Sequence, residues 1–463
     1  MSLPDGFVVA LSPRLRVDDG GRTLIGGTPT RVLYLTEKAA GLIRAGRIEV
    51  VNAASRALAE RLLGSGMADP VAAELPAVDP AELTVVVPVR DRPDRLGRLL
   101  AGLGGVHRVI VVDDASRDPE AVAAVVGAHG ASLLVLDENR GPAGARNAGL
   151  RLVETPYLAF VDSDVLVAPG TLQTLLRHFA DPSLAMVAPR ILAIPLRRAG
   201  WIARYEEARS SLDLGPVAAA VGPGSPVGWL PGTVMVARTA ALGEGFDPDM
   251  RVGEDVDLVW HLTGEGWRVR YDPAARAWHD HRIGARAWFG RKLFYGTSAA
   301  PLAERHPGTL VPAIFAPWSL ALVASVMAQR RWSIPVAAGI AALEAVRIAG
   351  RLGRSERPGL TAATLVARGA GTALGQTGAL LLRHWWPLAL AGSLVSRRVR
   401  RAVAVAAIAD TAVEYLRTPV RLDPVRFFVA RRLDDLAYGA GVWLGSIRAR
   451  SVAPMVPRVG SGE

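Results

Sequence analysis

In the sequence YLAFVDSD at residues 157–164, an apolar segment is followed directly by two aspartates. Two similar apolar runs precede it along the chain, LTVVVP at 83–88 and VIVV at 109–112. Segments with the spacing of amphipathic helices separate these runs, at 94–103, 119–129 and 143–153. Continuous apolar strands that alternate with helices predict a parallel sheet built from βαβ units. We therefore expect an α/β fold over residues 83–306.

Polar residues follow the first two strands where each strand is predicted to end. Pro88 and Arg90 close the first strand, and Asp113 and Asp114 close the second. In an open α/β sheet a ligand lies outside the carboxyl ends of the strands, so both loops are placed to contact it. We predict that these four residues bind a nucleotide. A role in forming the turn would explain the two aspartates equally well.

A glycine-rich segment, NRGPAGARNAG at 139–149, precedes the strand that carries the two aspartates. It fits neither the dinucleotide-binding pattern nor the P-loop pattern, and it contains Arg146 and Asn147. A helix N-terminus beside an arginine favours phosphate oxygens, because backbone N–H groups and a guanidinium both donate to them. We therefore assign Arg146 and Asn147 to nucleotide binding. The alternative is a surface loop with incidental arginines.

Asp162 and Asp164 are separated by one residue, which puts both side chains on the same side of an extended chain. Carboxylate oxygens in this arrangement suit Mg²⁺ or Mn²⁺ bound to a nucleotide diphosphate. We predict a divalent metal at Asp162, Asp164 and His279, with Asp162 also contacting the nucleotide. His279 belongs to the sequence WHDH at 278–281, where a structural role beside tryptophan is the alternative for both histidines, His279 and His281.

Two further segments complete the predicted site: WLPG, which begins at Trp229 and ends at Gly232, and GED, which contains Glu254 and Asp255. If the bound nucleotide carries a group for transfer, such as a sugar, a carboxylate on the side of that group away from the metal can deprotonate the hydroxyl of an acceptor molecule. This is general base catalysis. Glu254 and Asp255 are the candidates for this catalytic role. Trp229 and Gly232 are expected to contact the acceptor. An acidic pair at a helix N-terminus, favoured by the helix dipole, is the alternative interpretation.

The composition excludes several other classes of protein. The 463 residues are 50% hydrophobic and carry a net charge of +11, and the mean hydropathy is +0.24, which excludes a disordered chain. The absence of cysteine excludes disulfides, thiolate zinc sites and cysteine nucleophiles. The N-terminal residues lack the basic and apolar segments of a secretory signal, so we expect the catalytic part in the cytosol.

The N-terminal region has a pattern of its own. Residues 1–69 are predicted to form a small winged-helix-like α+β module, joined to the following domain by a linker at 70–82. Its second predicted helix carries Arg56 and Arg61 against Glu60. Because this helix has no basic stripe, we expect no nucleic acid as the partner of the module.

The motifs VVVPV, VVDDAS, NRG, ARNAG, FVDSD, WLPGTVMV and GEDVDLVWHL occur in the order found in family 2 glycosyltransferases. Residues 82–307 therefore resemble that family, and the resemblance implies a GT-A fold, the architecture of nucleotide-diphospho-sugar transferases. The roles it implies are contact with the nucleotide base for Asp113, metal and diphosphate binding for Asp162 and Asp164, catalysis of an inverting transfer for Asp255, and proximity to the nucleotide for Arg146.

The flanks resemble a narrower group. GGTPTRVLYLT at 26–36 is similar to peptide-recognition modules of ribosomal-peptide biosynthesis, and together with YGTSAAPL at 295–302 it resembles the glycosyltransferases of mycofactocin systems. This resemblance implies a peptide-derived acceptor, premycofactocin, and β-linked glucose units added in series from UDP-glucose. The Q-x-x-R-W motif of processive polysaccharide synthases is missing, since the corresponding region reads RAW at 286–288. Two alternatives are a membrane glycosyltransferase with a lipid or cell-envelope acceptor, and a non-catalytic peptide scaffold.

Residues 307–463 are expected to be helical and to contact a membrane. The stretch 307–329 contains no charged residue and is long enough to span a bilayer, although prolines interrupt it. A basic cluster, RRVRR at 397–401, favours an anionic membrane surface. Since nucleotide sugars are cytosolic, we predict the cytoplasmic face of the cell membrane. The alternative is a helical bundle buried against protein.

Overall fold

The computed structural model of the chain describes residues 2–103, 108–196, 200–280, 284–418 and 422–460, so His281 lies outside the described residues. The chain forms two compact units. The first contains Met1–Leu196 and Ser210–His281, and the second contains Arg197–Arg209 and Arg282–Glu463. The domain boundaries at 69, 82 and 306 divide the chain differently from these units, and they stay a prediction.

The N-terminal part of the first unit forms two small antiparallel sheets and two helices. Its elements are β1 Val8–Leu11, β2 Arg16–Asp18, β3 Thr23–Gly26, β4 Arg31–Tyr34, α1 Glu37–Ala40, β5 Arg47–Glu49, α2 Ala53–Gly64 and β6 Ala68–Pro70. The strand orders are β5-β1-β6 and β2-β3-β4. α2 begins after Asn52, whose side chain accepts hydrogen bonds from the backbone of Ala54 and Ser55. The comparison of this part with a winged helix stays a prediction.

The segment expected as a linker packs against the rest of the first unit. Arg177 donates hydrogen bonds to the carbonyl oxygens of Ala73 and Leu75, at 3.4 and 2.8 Å. Asp69, the last residue before this segment, lies 3.6 Å from the buried Arg270, and burial raises the pKa of Asp69. The segment therefore contacts the α/β part of the first unit directly.

Within the described residues, a nine-stranded sheet with flanking helices makes up the rest of the first unit. The elements of this stretch, in chain order, are β7 Leu83–Val89, α3 Pro93–Gly102, β8 Arg108–Asp113, α4 Pro119–Ala128, β9 Ser132–Val135, α5 Gly141–Leu150, β10 Tyr157–Val161, β11 Val165–Val167, α6 Thr171–Arg177, β12 Leu184–Ala193, α7 Trp201–Ala208 of the second unit, β13 Ala219–Ala220, β14 Val234–Arg238, α8 Glu254–Gly264 and β15 Arg268–His279. The strand order is β11-β15-β12-β14-β10-β7-β8-β9, and β13 pairs with β15. β10, β7, β8 and β9 run parallel, whereas β14 is antiparallel to both of its neighbours. The expected α/β fold is confirmed.

The central strands are apolar on both faces because helices cover both faces. In β7, Val85 and Val87 point to one side and Val86 to the other, and all three are fully buried. α3 contributes Leu96 and Leu99 to the core that contains Val85 and Val87. Burial of such a side chain stabilises the fold by about 1.5–3 kcal/mol, so this layer holds the ends of the strands in place.

Several loops meet at the carboxyl ends of the parallel strands. β7, β8 and β10 belong to neighbouring positions in the sheet, so the residues that follow Val89, Asp113 and Val161 lie along one edge. β11 is antiparallel to β15, and Val165 pairs with His279 in this register. The pairing places the two aspartates of the D-x-D sequence beside the end of β15.

The described part of the second unit is mainly helical. Its elements besides α7 are α9 Ala285–Gly296, α10 Ala299–Arg305, β16 Ile314–Phe315, α11 Pro317–Met327, α12 Ser333–Arg351, α13 Pro358–Ala379, α14 Trp386–Val395, α15 Arg397–Arg417, α16 Pro424–Ala449 and β17 Arg458–Val459. α16 packs closely on α9, since a Cβ atom added to Gly441 would overlap the carbonyl oxygen of Leu293. Glycine at this crossing therefore allows the two backbones to approach.

The apolar stretch 307–329 is not one continuous helix. The strand Ile314–Phe315 lies inside it, and Pro317 begins α11, which has 11 residues. Proline fits the first turn of a helix and cannot continue a preceding one, so the stretch is divided at this point. The predicted membrane contact of this region stays a prediction, and residues 307–329 do not form one spanning helix. Among the described residues one helix, Ser333–Arg351, is long and apolar enough to cross a membrane, and 11% of its apolar window is buried.

Candidate active site

Glu254 and Asp255 lie in the first turn of α8, directly after Gly253. Gly253 has a φ of +84°, a left-handed conformation that favours glycine. The backbone N–H of Gly232 donates to Asp255 Oδ2 at 2.9 Å, and the N–H of Val256 donates to Oδ1 at 2.9 Å. The loop before β14 thus holds Asp255 in place and brings the WLPG and GED segments together.

Arg146 connects the two ends of the site. Its side chain, on α5, is 4% exposed and donates to Asp162 Oδ1 at 2.7 Å and to the carbonyl oxygen of Gly232 at 3.1 Å. The same guanidinium lies 3.2 Å from Glu254 Oε1. A buried guanidinium requires acceptors for its charge, and these two carboxylates supply them. Arg146 therefore links the D-x-D sequence to the start of α8.

The carboxyl group of Asp255 has a pKa near neutral pH. Burial, together with the neighbouring Glu254 carboxylate, raises the pKa of Asp255 from 3.8 to about 7. Arg146 lies within ion-pair distance of Asp162 and Glu254, and its positive charge offsets only part of the rise in the pKa of Asp255. A carboxyl with a pKa near the working pH is suited to accept a proton from a hydroxyl. Of the two predicted candidates, the geometry favours Asp255 as the base.

Three basic side chains surround Asp164. Arg92 Nη1 lies 2.6 Å and Arg95 Nη1 lies 3.6 Å from Asp164 Oδ2, and His279 Nε2 lies 3.4 Å from Oδ1. Burial opposes ionisation of Asp164, but the hydrogen bond from His279 and the neighbouring positive charges lower its pKa to about 2. Asp164 is therefore an anion at neutral pH. Burial has the dominant effect at Asp162 and raises its pKa.

The predicted metal ligands fall into two groups. Asp164 lies beside His279, whereas Asp162 is paired with Arg146. Across the described ranges, no cluster of three or more His, Asp or Glu side chains is arranged to hold an ion. The donor set of two carboxylates and one imidazole is nevertheless one that Mg²⁺ or Mn²⁺ accepts. The ligand types of these residues therefore suit a divalent ion. In this structure each of the two carboxylates is paired with an arginine.

Asp113 and Asp114 have different environments at the end of β8. Asp113 is fully buried, its Oδ1 accepts the N–H of Ser116 at 3.0 Å, and its Oδ2 has no hydrogen-bond partner in the described structure. Both oxygens of Asp114 are used, by the N–H groups of Arg140 at 2.7 Å and Gly141 at 3.0 Å. Since a buried unpartnered oxygen can accept a hydrogen bond from a ligand, Asp113 is the stronger candidate for nucleotide contact. Asp114 positions the loop before α5.

Of the other residues predicted from sequence, one supports a loop of the site and the rest are exposed or half-buried. The buried Asn147 exchanges two hydrogen bonds with the backbone of Phe246, at 2.6 and 2.9 Å, so its amide is used within the protein. This contact anchors the loop that leads to α8. Arg90 is exposed, while Pro88 and Trp229 are half-buried.

Sequence reasoning missed the arginines at the start of α3. The sequence RDRPDR at 90–95 contains three arginines after the carboxyl end of β7, and two of them, Arg92 and Arg95, reach Asp164. Arg95 also lies 2.9 Å from Asp280. Their position at a strand end was a usable signal. Their partner was not evident, because Asp164 is 72 residues from Arg92 in the sequence.

A mixed sheet with a buried aspartate and a D-x-D pair at the ends of central strands is the architecture of a GT-A-like glycosyltransferase. The family profile described as "Glycosyl transferase family 2" matches residues 84–220, and the one described as "Glycosyl transferase family group 2" matches residues 157–396. The chain belongs to the family 2 glycosyltransferases, within the group of the mycofactocin system.

Full-length similarity supports the narrower group. The chain is 42% identical over 475 aligned residues to the pre-mycofactocin glycosyltransferase of Mycobacterium tuberculosis (strain CDC 1551 / Oshkosh), covering 99% of this chain and 98% of that protein. It is 38% identical over 120 residues to the succinoglycan biosynthesis protein ExoO of Rhizobium meliloti (strain 1021), covering 24% of this chain and 34% of that protein. A structure of a mannosyltransferase from Pyrobaculum calidifontis in complex with GDP-Man and Mn²⁺ aligns with a TM-score of 0.39 and 20% identity, over 77% of this chain and 88% of that one.

Proposed function

We propose that the protein is an inverting hexosyltransferase that moves glucose from UDP-glucose to premycofactocin. The observation that carries this proposal is the placement of Asp255. The backbone N–H of Gly232 donates a hydrogen bond to its carboxylate. The neighbouring Glu254 is paired with Arg146, which is also paired with Asp162 of the D-x-D sequence. The full-length similarity to a pre-mycofactocin glycosyltransferase supports the acceptor.

In the proposed reaction the Asp255 carboxylate takes the proton of an acceptor hydroxyl while that oxygen attacks the anomeric carbon of the donor. A new C–O bond forms as the bond between the sugar and the diphosphate breaks, and the nucleoside diphosphate leaves with the electron pair. Attack opposite to the leaving group inverts the anomeric centre, so an α-linked donor gives a β-linked product. The pKa of about 7 at Asp255 suits this proton transfer.

The leaving diphosphate develops negative charge that requires a positive counterpart. We propose that Asp162, Asp164 and His279 hold Mg²⁺ or Mn²⁺, which supplies this positive charge when bound. Arg92 and Arg95 add two permanent positive charges at the same end of the site.

The nucleotide is proposed to bind along the ends of β7 and β8. The buried Asp113 has a carboxylate oxygen without a partner in the described structure, which suits an N–H of a uracil ring. Pro88 and Arg90 follow β7 and belong to the same edge of the sheet. We propose UDP as this nucleotide.

The acceptor is proposed to be peptide-derived and to receive glucose units in series. Trp229 and Gly232 belong to the loop that holds Asp255, so these residues are proposed to contact it. Residues 1–69 are proposed to recruit the peptide at a sheet edge. The strand Arg31–Tyr34 pairs with β3 on one side and forms the edge of its described sheet. Pairing of main chains at such an edge gives affinity and specificity without phosphate contacts.

We further propose that the second unit contacts an anionic membrane from its cytoplasmic side. Leu394 and Val395 at the end of α14 are 79% and 89% exposed. The Gln329 side chain donates to the carbonyl oxygen of Arg398 at 2.8 Å, so the two arginines after Gln329 lie next to the basic cluster at 397–401. Each basic residue near an anionic leaflet adds about 1 kcal/mol to binding. A helical bundle buried against other protein is the alternative.

Glycosyl transfer is tested directly with purified full-length protein, a panel of nucleotide sugars and premycofactocin, with acceptor mass as the readout. We expect successive gains of one hexose from UDP-glucose with the wild type, and gains slower by a factor on the order of 10² to 10⁴ with Asp255→Asn. A lipid extract serves as the competing acceptor. Transfer to lipid without transfer to premycofactocin would support the membrane glycosyltransferase alternative, and transfer to neither would support the non-catalytic scaffold.

Peptide recruitment is tested by binding of the full chain to precursor peptide and to duplex DNA across a range of salt concentrations. We expect peptide binding with a shallow salt dependence. Contacts to DNA phosphates release counterions and give a steep negative slope of log K against log salt. Tight DNA binding with such a slope and no peptide binding would contradict the proposal.

A further inference from the structure

Three arginines follow the carboxyl end of β7 at one-turn spacing along α3. Arg92 immediately precedes the helix, and Arg95 and Arg98 lie in it. Arg92 Nη1 is 2.6 Å from Asp164 Oδ2, and Arg95 Nη1 is 3.6 Å from the same oxygen. Arg95 Nη2 is also 2.9 Å from Asp280 Oδ2. The second carboxylate of the D-x-D sequence is therefore held by the start of α3.

This arrangement sets two positive charges against the binding of a metal ion at Asp164. A divalent ion that arrives without nucleotide has to displace Arg92 and Arg95 from the carboxylate and then lie close to both guanidinium groups. Favourable contacts between opposite charges are lost and contacts between like charges are created, so the ion alone binds weakly. A diphosphate changes this balance, because its oxygens accept hydrogen bonds from both guanidinium groups.

We propose that Arg92 and Arg95 are positioning residues that leave Asp164 and bind the donor diphosphate when the nucleotide arrives. Because of this exchange, nucleotide and divalent ion bind with positive coupling. This inference rests on the proposed metal site at the D-x-D sequence. The side chains of Arg92 and Arg95 are 40% and 33% exposed, whereas that of Asp164 is 15% exposed. The guanidinium groups therefore have room to turn to a ligand, and their departure frees the Asp164 carboxylate for the ion.

Thermodynamic linkage makes this coupling reciprocal. Nucleotide tightens metal binding by the same factor by which metal tightens nucleotide binding. When one arginine is removed, Asp164 is partly free from the start, so the metal alone binds more tightly and nucleotide adds less. A purely structural role for the arginines would lower both affinities or the stability of the protein, and it would not raise the affinity for metal alone.

The experiment measures Mn²⁺ binding to the full-length protein by electron paramagnetic resonance, with and without UDP. For Arg92→Gln and Arg95→Gln we expect Mn²⁺ alone to bind on the order of tenfold more tightly than to the wild type, and the gain from UDP to fall by the same factor. Arg98→Gln is the matched control, because the described contact of Arg98 is with Asp280, at 3.9 Å. Arg92→Lys keeps the positive charge and should retain most of the coupling.

The outcomes distinguish this inference from the proposed function. Unchanged Mn²⁺ affinity and unchanged coupling in both glutamine variants, with normal binding of Mn²⁺ and UDP by the wild type, would overturn the exchange and leave the metal site in place. Failure of the wild type to bind Mn²⁺ even with UDP would overturn the metal site and the exchange together. If the glutamine variants do not fold, loss of coupling in folded Arg92→Lys would also contradict the exchange.

Discussion

The guanidinium of Arg146 lies 3.2 Å from Glu254 Oε1, although 108 residues separate the two in the sequence. Asp255, the next residue, accepts hydrogen bonds from the backbone N–H groups of Gly232 and Val256. Adjacent carboxylates therefore have different environments. One is paired with a cation and the other is held by neutral donors, and this difference favours Asp255 as the general base.

The rate of transfer should rise with pH through about 7, because Asp255 must be ionised to accept a proton. The raised pKa of Asp255 results first from burial and second from the charge of Glu254. Glu254→Gln removes that charge and makes ionisation easier, so the acidic limb of the kcat/KM profile should move to lower pH. Profiles of the wild type, Glu254→Gln and the exposed control Glu244→Gln measure the effect. A limb that stays in place or moves to higher pH in Glu254→Gln contradicts the assignment.

The same raised pKa predicts a pH-dependent effect on stability. The folded state keeps the Asp255 proton up to about pH 7, whereas the unfolded carboxyl loses its proton near 3.8. The folded state therefore binds more protons between these values, and the contribution of Asp255 to stability falls as pH rises through this window. Asp255→Asn should raise Tm at pH 8 by a few degrees, roughly 2–4 °C, and change it little at pH 4. Thermal melts with equal shifts at both pH values would show that ionisation is not the cause.

Asp255→Asn should lower kcat by a factor on the order of 10² to 10⁴, because the amide cannot take the acceptor proton. Affinity for UDP should stay close to that of the wild type, since the nucleotide residues are unchanged. Steady-state kinetics and calorimetric UDP binding separate the two effects, with the exposed Asp249→Asn as the control. Loss of UDP binding with normal turnover at saturation would place Asp255 in the nucleotide site instead.

Asp164→Ala should remove most of the divalent-dependent binding of the nucleotide sugar, because one remaining aspartate leaves the diphosphate poorly neutralised. Asp162→Ala should have a similar effect on binding and should also remove a partner of Arg146. Donor binding with Mn²⁺ and with excess EDTA measures the dependence, and Asp137→Ala, exposed after β9, is the control. Undiminished transfer by Asp164→Ala in EDTA would exclude the metal role.

Arg146→Met should destabilise the fold by about 3–5 kcal/mol, because it leaves the Asp162 and Glu254 carboxylates without their buried cation. Arg151→Met, at the exposed end of the same helix, should change stability by no more than about 0.5 kcal/mol. Urea unfolding monitored by circular dichroism gives both values. Equal stabilities for the two variants would show that the ion pairs of Arg146 contribute little.

Several parts of the site were predictable because their signals are local. An apolar run that ends in an acid marks a strand end, and this pattern identified Asp113, Asp162 and Asp164. The strand-end pattern also grouped Asp114 with the nucleotide contacts, and the glycine-rich segment added Asn147. In the structure their side chains are used by backbone groups of the protein, and a motif does not reveal such internal partners.

By itself the sequence determined the α/β class, the D-x-D pair, the acids at the start of α8 and the resemblance to family 2 glycosyltransferases, because periodicity and motif spacing are properties of short segments. Only the tertiary structure decided which acids are paired with cations. Arg146 lies between Asp162 and Glu254, and Arg92 holds Asp164, through contacts that span up to 108 residues of chain. Such pairs depend on how the strands and helices pack, and burial at those contacts sets the pKa values on which the proposed chemistry rests.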